Sequence, residues 1–156
     1  MSKGNNLTKL FYDYLSSVGI QATRELDERG YITCLKFYND LSFYTSYANI
    51  TNECFWFGFS ENNIIHKEFN YALLIIGDET PDYIFVIPFN KFRSFIKKGK
   101  LINTNNNYQQ YEAHIFTKKE YLFMKVEGYP DEEFRLDEYL KSLKEFPSYL
   151  DTLQNK

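Results

Sequence analysis

Residues 71–88, YALLIIGDETPDYIFVIP, hold two short apolar runs, Tyr71–Gly77 and Tyr83–Pro88, separated by Asp78-Glu-Thr-Pro-Asp82. Both runs are rich in β-branched and aromatic residues. The residues between them suit a turn, because Pro presets φ and Asp side chains bond the local backbone. The pair reads as a β-hairpin. Neither run alternates apolar with polar, so each strand needs cover on both faces and belongs in the middle of a sheet or barrel. Just upstream, FWFGFS (55–60) fits a third strand. It carries the only tryptophan, Trp56, expected to be mostly buried, and Gly58 among the aromatics marks a bend or a close approach.

Toward the N-terminus, Leu7, Leu10, Phe11, Tyr14, Leu15 and Val18 recur at helical spacing, with Asn5 or Asn6 as N-cap and Gly19 as the stop. IQATREL and YITCLKFY then form strand-like segments around Asp27-Glu-Arg-Gly30, a hairpin signal. LSFYTSY opens a segment, 39–52, that is dense in Asn, Ser, Thr and Tyr. It reads either as another strand or as an ordered loop or projecting arm. ENNIIHKEF is open between a short helix and a crossover loop.

Toward the C-terminus, PFNKFRSFIKKGK places Phe89, Phe92 and Ile96 on one helical face and ends in basic residues before Gly99. LINTNNNYQQ reads as a polar loop, QYEAHIFT and EYLFMKVEG as a hairpin around Lys118 and Lys119, and FRLDEYLKSL as a closing strand and helix with Phe134, Leu136, Tyr139, Leu140 and Leu143 apolar. The last few residues are expected to fray. Strands are therefore expected at 31–38, 55–59, 71–77, 83–87, 111–117 and 121–127, in a mainly β (α+β) fold of about seven strands with helices near both ends.

At 156 residues and 44% hydrophobic, the chain is long enough for one core and short for two, so a single domain over 1–156 is expected, with a compact part at about 6–145. The aromatic content, 19%, is first of all the filling of a β core. Cys34 and Cys54 have neither CxxC spacing nor a companion His cluster, so no metal or disulfide framework is expected. The first residues, MSKGNNLTKLFYDYL, have no continuous apolar segment or cleavage site, and no run reaches membrane-spanning length. A cytoplasmic protein without a membrane partner is expected.

The formal net charge of −3 argues against binding polyanions by bulk attraction. Its distribution is uneven. Between Tyr83 and Tyr111 lie Lys91, Arg93, Lys97, Lys98 and Lys100 and no acidic residue, while acidic residues predominate before Tyr83. Lysines at a helix C-terminus also have a plain structural role, since the helix dipole favours them.

No P-loop, GxGxxG or GxSxG occurs, so no nucleotide cofactor is expected. His66 falls in a connector and His114 in a strand, where a lone His is more often packed than catalytic. The enzymatic alternative is a small metal-dependent nuclease with Asp82 as first carboxylate. The following strand has no carboxylate, and Glu112-Ala-His114 lacks the lysine of an acidic-x-Lys triplet, leaving a divalent ion short of hard oxygen ligands. The other alternative is a protein-interaction β domain whose exposed aromatics meet another subunit.

Two stretches are not accounted for by a core: the polar segment before Trp56 and the Asn/Gln-rich loop after the basic helix. Asn and Gln can pair with adenine, Lys and Arg with guanine or phosphate, and Ser, Thr and Tyr with backbone oxygens. Taken in order, WFGFS (56–60), the two-sided apolar strand, GDETPDYIFVIPFNKF (77–92), YEAHIF (111–116) and FRLDEYL (134–140) resemble a prokaryotic DNA-recognition domain. This is the B-three-like pseudobarrel attached to restriction endonucleases, including McrB-type motor subunits of the LlaJI kind. The similarity runs from the first helix to about Leu143.

The resemblance implies a seven-stranded open β-barrel (pseudobarrel) flanked by two or three short helices. It implies sequence-specific recognition of double-stranded DNA by two arms that clasp the major groove, with no catalysis in this domain. It also implies that the domain is the N-terminal part of a larger restriction subunit, with a motor domain and a nuclease partner subunit elsewhere. On this chain the first arm falls at 44–52, making Thr45, Ser46, Tyr47, Asn49, Thr51 and Asn52 candidate DNA contacts. The second falls at 97–109, adding Lys97, Lys98, Lys100, Asn103, Thr104, Asn105, Asn106, Asn107, Tyr108 and Gln109. No catalytic or metal-ligating residue is implied.

Overall fold

The computed structural model describes residues 6–51, 54–104, 109–117 and 120–155. In chain order the elements are α1 (Leu7–Ser17), β1 (Thr23–Leu26), β2 (Ile32–Lys36), β3 (Ser42–Thr51), β4 (Cys54–Ser60), a π-helical turn at Asn62–His66, and β5 (Tyr71–Gly77). There follow β6 (Tyr83–Pro88), α2 (Phe89–Ile96), β7 (Leu101–Asn103), β8 (Gln109–Phe116), β9 (Phe123–Val126), β10 (Tyr129–Arg135), β11 (Leu140–Lys141) and α3 (Phe146–Gln154). The fold is mainly β, with eleven strands in two sheets and three α-helices among the described residues, more strands than the seven or so expected.

The β5–β6 hairpin forms as its sequence dictates, with Leu74 opposite Phe85 and Asp82 N–H donating to the Ile76 carbonyl across the turn. Its two faces feed two different cores. Ala72, Leu74, Ile76, Phe85 and Ile87 point into a core shared with the second sheet, where they meet Phe55, Phe57 and Phe59 of β4, Ala113 and Ile115 of β8, and Met124 and Val126 of β9. Leu73, Ile75, Ile84 and Val86 point the other way, beneath Leu7, Phe11 and Leu15 of α1 and Phe146, Leu150 and Leu153 of α3. The layers are therefore helices, first sheet and second sheet, with the apolar face of α2 (Phe89, Phe92, Phe95, Ile96) also in the inter-sheet core.

Strand pairing runs β10-β9-β8-β4-β3-β5-β6-β11, with β1 and β2 added beside β3 and β7 beside β8. Among the described residues the two sheets join only where Ile50 and Thr51 of β3 pair with Phe55 and Cys54 of β4. The ends of the path, β10 and β11, are consecutive in the chain, but no pairing between them closes it among the described residues.

Three expectations change. The polar segment beginning at Ser42 is not a projecting arm along most of its length. As β3 it pairs antiparallel with β2 and parallel with β5 from Phe43–Tyr71 to Asn49–Gly77, which takes it into the sheet interior. Trp56 is exposed (44%), because alternation along β4 sends Phe55, Phe57 and Phe59 inward and Trp56 outward. The closing helix lies later than FRLDEYLKSL. That stretch becomes the end of β10, a 3-10 turn (Asp137–Tyr139) and β11, while α3 starts at Phe146 with Pro147 in its first turn, where a missing N–H costs nothing. ENNIIHKEF resolves into the π-helical turn that carries the chain from β4 to β5.

Candidate nucleic-acid interface

The basic segment begins at the C-terminal end of α2, whose Phe89, Phe92, Phe95 and Ile96 are held in the core so that Lys97 and Lys98 emerge at the surface. Of the five basic residues there, Arg93 is turned inward. It ion-pairs with Glu68 at 3.0 Å, donates to the Lys67 carbonyl, and lies 4.7 Å from the centre of the Phe89 ring, tying the β4–β5 connection to α2. Lys98 pairs with Glu132 of β10 at 2.7 Å, and this hydrogen bond holds its ammonium above the usual lysine pKa. Lys97 and Lys100 are exposed and make no ion pair with the described residues. Between α2 and β10 is a shallow groove of about 380 Å³ lined by Asn90, Lys91, Ser94, Phe95, Lys98, Glu132 and Phe134.

Beyond Lys100 the chain forms the β7–β8 hairpin. Leu101 pairs with Tyr111, Ile102 with Gln110 and Asn103 with Gln109. In this last, exposed pair the Gln109 Nε2 donates to Asn103 Oδ1 at 2.9 Å. The bond uses one amide donor and one amide acceptor, and between them the two side chains still carry the donor and acceptor types that read base edges. Thr104 is half-buried beside them. Asn105, Asn106, Asn107 and Tyr108 lie outside the described residues.

The first set of expected contacts sits differently. Thr45 is buried (3% exposed) and donates its hydroxyl to the Ile32 carbonyl at 3.0 Å. Tyr47 packs half-buried against the core under the helices, and burial raises its pKa. Asn49 donates to the Asp78 carbonyl at 2.9 Å, fastening the end of β3 to the DETPD turn. Ser46 is half-buried opposite Leu74 of β5. Thr51 ends β3 opposite Cys54, and Asn52 lies outside the described residues.

The two sets are not brought together. Along the β4–β8 pair, Cys54 at the β3–β4 hairpin faces Phe116, while Ser60 faces Gln110 at the β7–β8 hairpin. Six residue steps of about 3.3 Å separate them by roughly 20 Å. Between them lies the outer face of the second sheet, which none of the three helices covers. Register places Trp56, His114 and Lys125 in one row across that face, with Cys54, Phe116 and Phe123 in the next. The Phe116 and Phe123 rings stack at 5.2 Å, and the Arg135 guanidinium lies 4.1 Å from the centre of the Tyr121 ring. Along β8 the Gln110 side chain donates to Glu112 at 3.0 Å with its amide lying against Gly58 of β4, where a Cβ would strike it.

No protein-family model, curated protein or solved structure matches the chain. Sequence reasoning missed Trp56, Lys125 and Arg135 as surface residues. Alternation within FWFGFS separates Trp56 from the three phenylalanines, but hydrophobicity alone does not say which face is inside when all four residues are aromatic. Among the described residues no three His, Cys, Asp or Glu side chains gather as a metal site, and no helix is long and apolar enough to cross a membrane.

Proposed function

We propose that the chain is a sequence-specific double-stranded DNA-recognition domain of a restriction system. It binds without cutting and leaves cleavage to a nuclease subunit and a motor domain. The observation that carries this reading is one short stretch of chain in which exposed Lys97, at the end of α2, and exposed Lys100 lead into the β7–β8 hairpin that carries the Asn103–Gln109 amide pair. Point charges bind phosphate and amides read base edges, so one stretch of chain supplies both functions. The outer face of the second sheet supports the reading, since exposed Trp56 and partly exposed Lys125 offer contact area along it. A strand path whose ends, β10 and β11, are neighbours in the chain also suits an open barrel of the kind the resemblance implies. With an acidic body overall, bulk attraction cannot hold the duplex, and local contacts must carry the affinity.

A gel shift with random duplex, with and without magnesium, tests this reading: a shifted, uncut band is expected under both conditions. Magnesium-dependent nicking that disappears in Asp82→Ala would instead establish the nuclease, and no shift at all would favour the protein-interaction domain. Once a preferred site has been selected from a random library, two classes of variant separate. Lys97→Ala or Lys100→Ala weakens specific and random duplexes alike and lowers the salt slope by about one. Asn103→Ala or Gln109→Ala costs ~1–3 kcal/mol on the selected site and little on random duplex. An unchanged specific-to-random ratio in the double amide variant would remove this hairpin as the reading element.

A further inference from the structure

The foot of the basic hairpin is joined to the β9–β10 turn through the backbone. Lys100 N–H donates to the Glu127 carbonyl at 2.7 Å, and Glu127 N–H donates to the Glu112 carbonyl of β8 at the same distance. The approach is too close for side chains. A Cβ on Gly99 would collide with Val126, and one on Gly128, whose φ is +91°, would collide with Lys100. The turn cannot move away from the hairpin without breaking these contacts, so the strand that follows it, β10, is held at the base of the basic segment. Of its carboxylates, Glu133 accepts from the Tyr121 hydroxyl at 2.7 Å, whereas Glu132 reaches Lys98. Lys98 also lies 5.8 Å from the centre of the Tyr129 ring, so the first and fourth residues of β10 both engage it.

We propose that Glu132 takes the place of a DNA phosphate on Lys98, so that β10 competes with the DNA backbone for this lysine and lowers affinity in the resting protein. The inference rests on the DNA-recognition reading above. A carboxylate and a phosphate offer a lysine ammonium the same partner, an anionic oxygen at hydrogen-bond distance. An exposed ion pair contributes little, so a duplex can displace Glu132, but the displacement offsets part of what the new phosphate contact gains. Lys98 thus contributes less to binding than Lys97 or Lys100, although all three lie in one run of sequence.

Four proteins test this on random duplex by fluorescence anisotropy at two salt concentrations: wild type, Glu132→Gln, Lys98→Ala and the double variant. Thermal melts check that each is folded. Glu132→Gln, which keeps the size of the side chain, is expected to bind about two- to fivefold tighter at low salt, the range an exposed ion pair spans, with a salt slope steeper by about one. Lys98→Ala is expected to change wild-type affinity only slightly, and in the double variant the gain from Glu132→Gln disappears. Binding by Glu132→Gln but not by wild type would also support the proposal. Equal or weaker binding by Glu132→Gln than by a binding wild type overturns it and leaves the DNA reading standing. If neither protein binds duplex, the DNA reading falls and this inference falls with it.

Discussion

Phe59→Ala should destabilise the protein by ~3–5 kcal/mol, the usual cost of emptying the site of a fully buried aromatic ring. Phe59 is completely buried on the inner face of β4. Its ring meets Phe92 of α2 edge-on at 5.0 Å and Tyr44 of β3 at 6.1 Å, and stacks on Phe57 at 5.5 Å. Three elements therefore lose a shared contact at once, and little can collapse into the space because the neighbouring rings are fixed by one another. At 156 residues a loss of this size should lower the melting temperature by roughly 6–20 °C. Trp56→Ala, three residues away on the opposite face, should cost only about 1–2 kcal/mol, since a half-exposed ring removes less apolar area from water. It should weaken duplex binding more than Phe59→Ala does once both proteins are folded. Urea midpoints measured for the pair decide the matter, and equal losses would mean that β4 is not oriented as described.

The second large effect is expected at Phe146, the first residue of α3. Its ring meets Phe11 of α1 edge-on at 4.9 Å, and Phe43 and Phe37 at 6.2 and 6.3 Å, and it is completely buried. Phe146→Ala should also cost ~3–5 kcal/mol. Because the ring lies between both helices and the sheet, α1 and α3 should be loosened together. Hydrogen exchange should then show lost protection at the amides of Leu15 in α1 and Leu150 in α3, while Leu74 and Phe85 in the inter-sheet core keep theirs. Loss of protection confined to α3 would show that the two helices are not a cooperative unit.

Much of the fold is legible in local sequence. The β5–β6 hairpin announces itself through two-sided apolar runs and a turn rich in Asp and Pro, and both faces are indeed covered. The α1 helix is bounded by Asn6, whose side chain accepts from Lys9 N–H at 3.1 Å, and by Gly19 at φ +84°. The helical pattern marks more apolar positions than the core uses: Leu7, Phe11 and Leu15 are buried, but Leu10 and Val18, the residue that caps α1, are exposed. The α3 helix was hidden for a different reason. FPSYLDTLQ is short and nearly balanced between apolar and polar residues, and it is held by Phe11, Phe37 and Phe43, which lie far earlier in the chain.

For the candidate interface, the sequence determined which chemistry is present: a lysine-rich helix end, an Asn/Gln-rich hairpin and a single tryptophan among phenylalanines. Tertiary structure decided which of these groups are accessible. The segment of β3 reads as polar, yet parallel pairing with β5 buries Thr45 and engages Asn49, because residues distant in sequence supply the neighbouring strand. Lys97, Lys98 and Lys100 look equivalent in sequence, and only the return of β10 sets Glu132 against one of them. Strand alternation is a local property, but which side of a strand becomes the inside depends on where the second sheet closes, and for Trp56 that choice belongs to the whole fold.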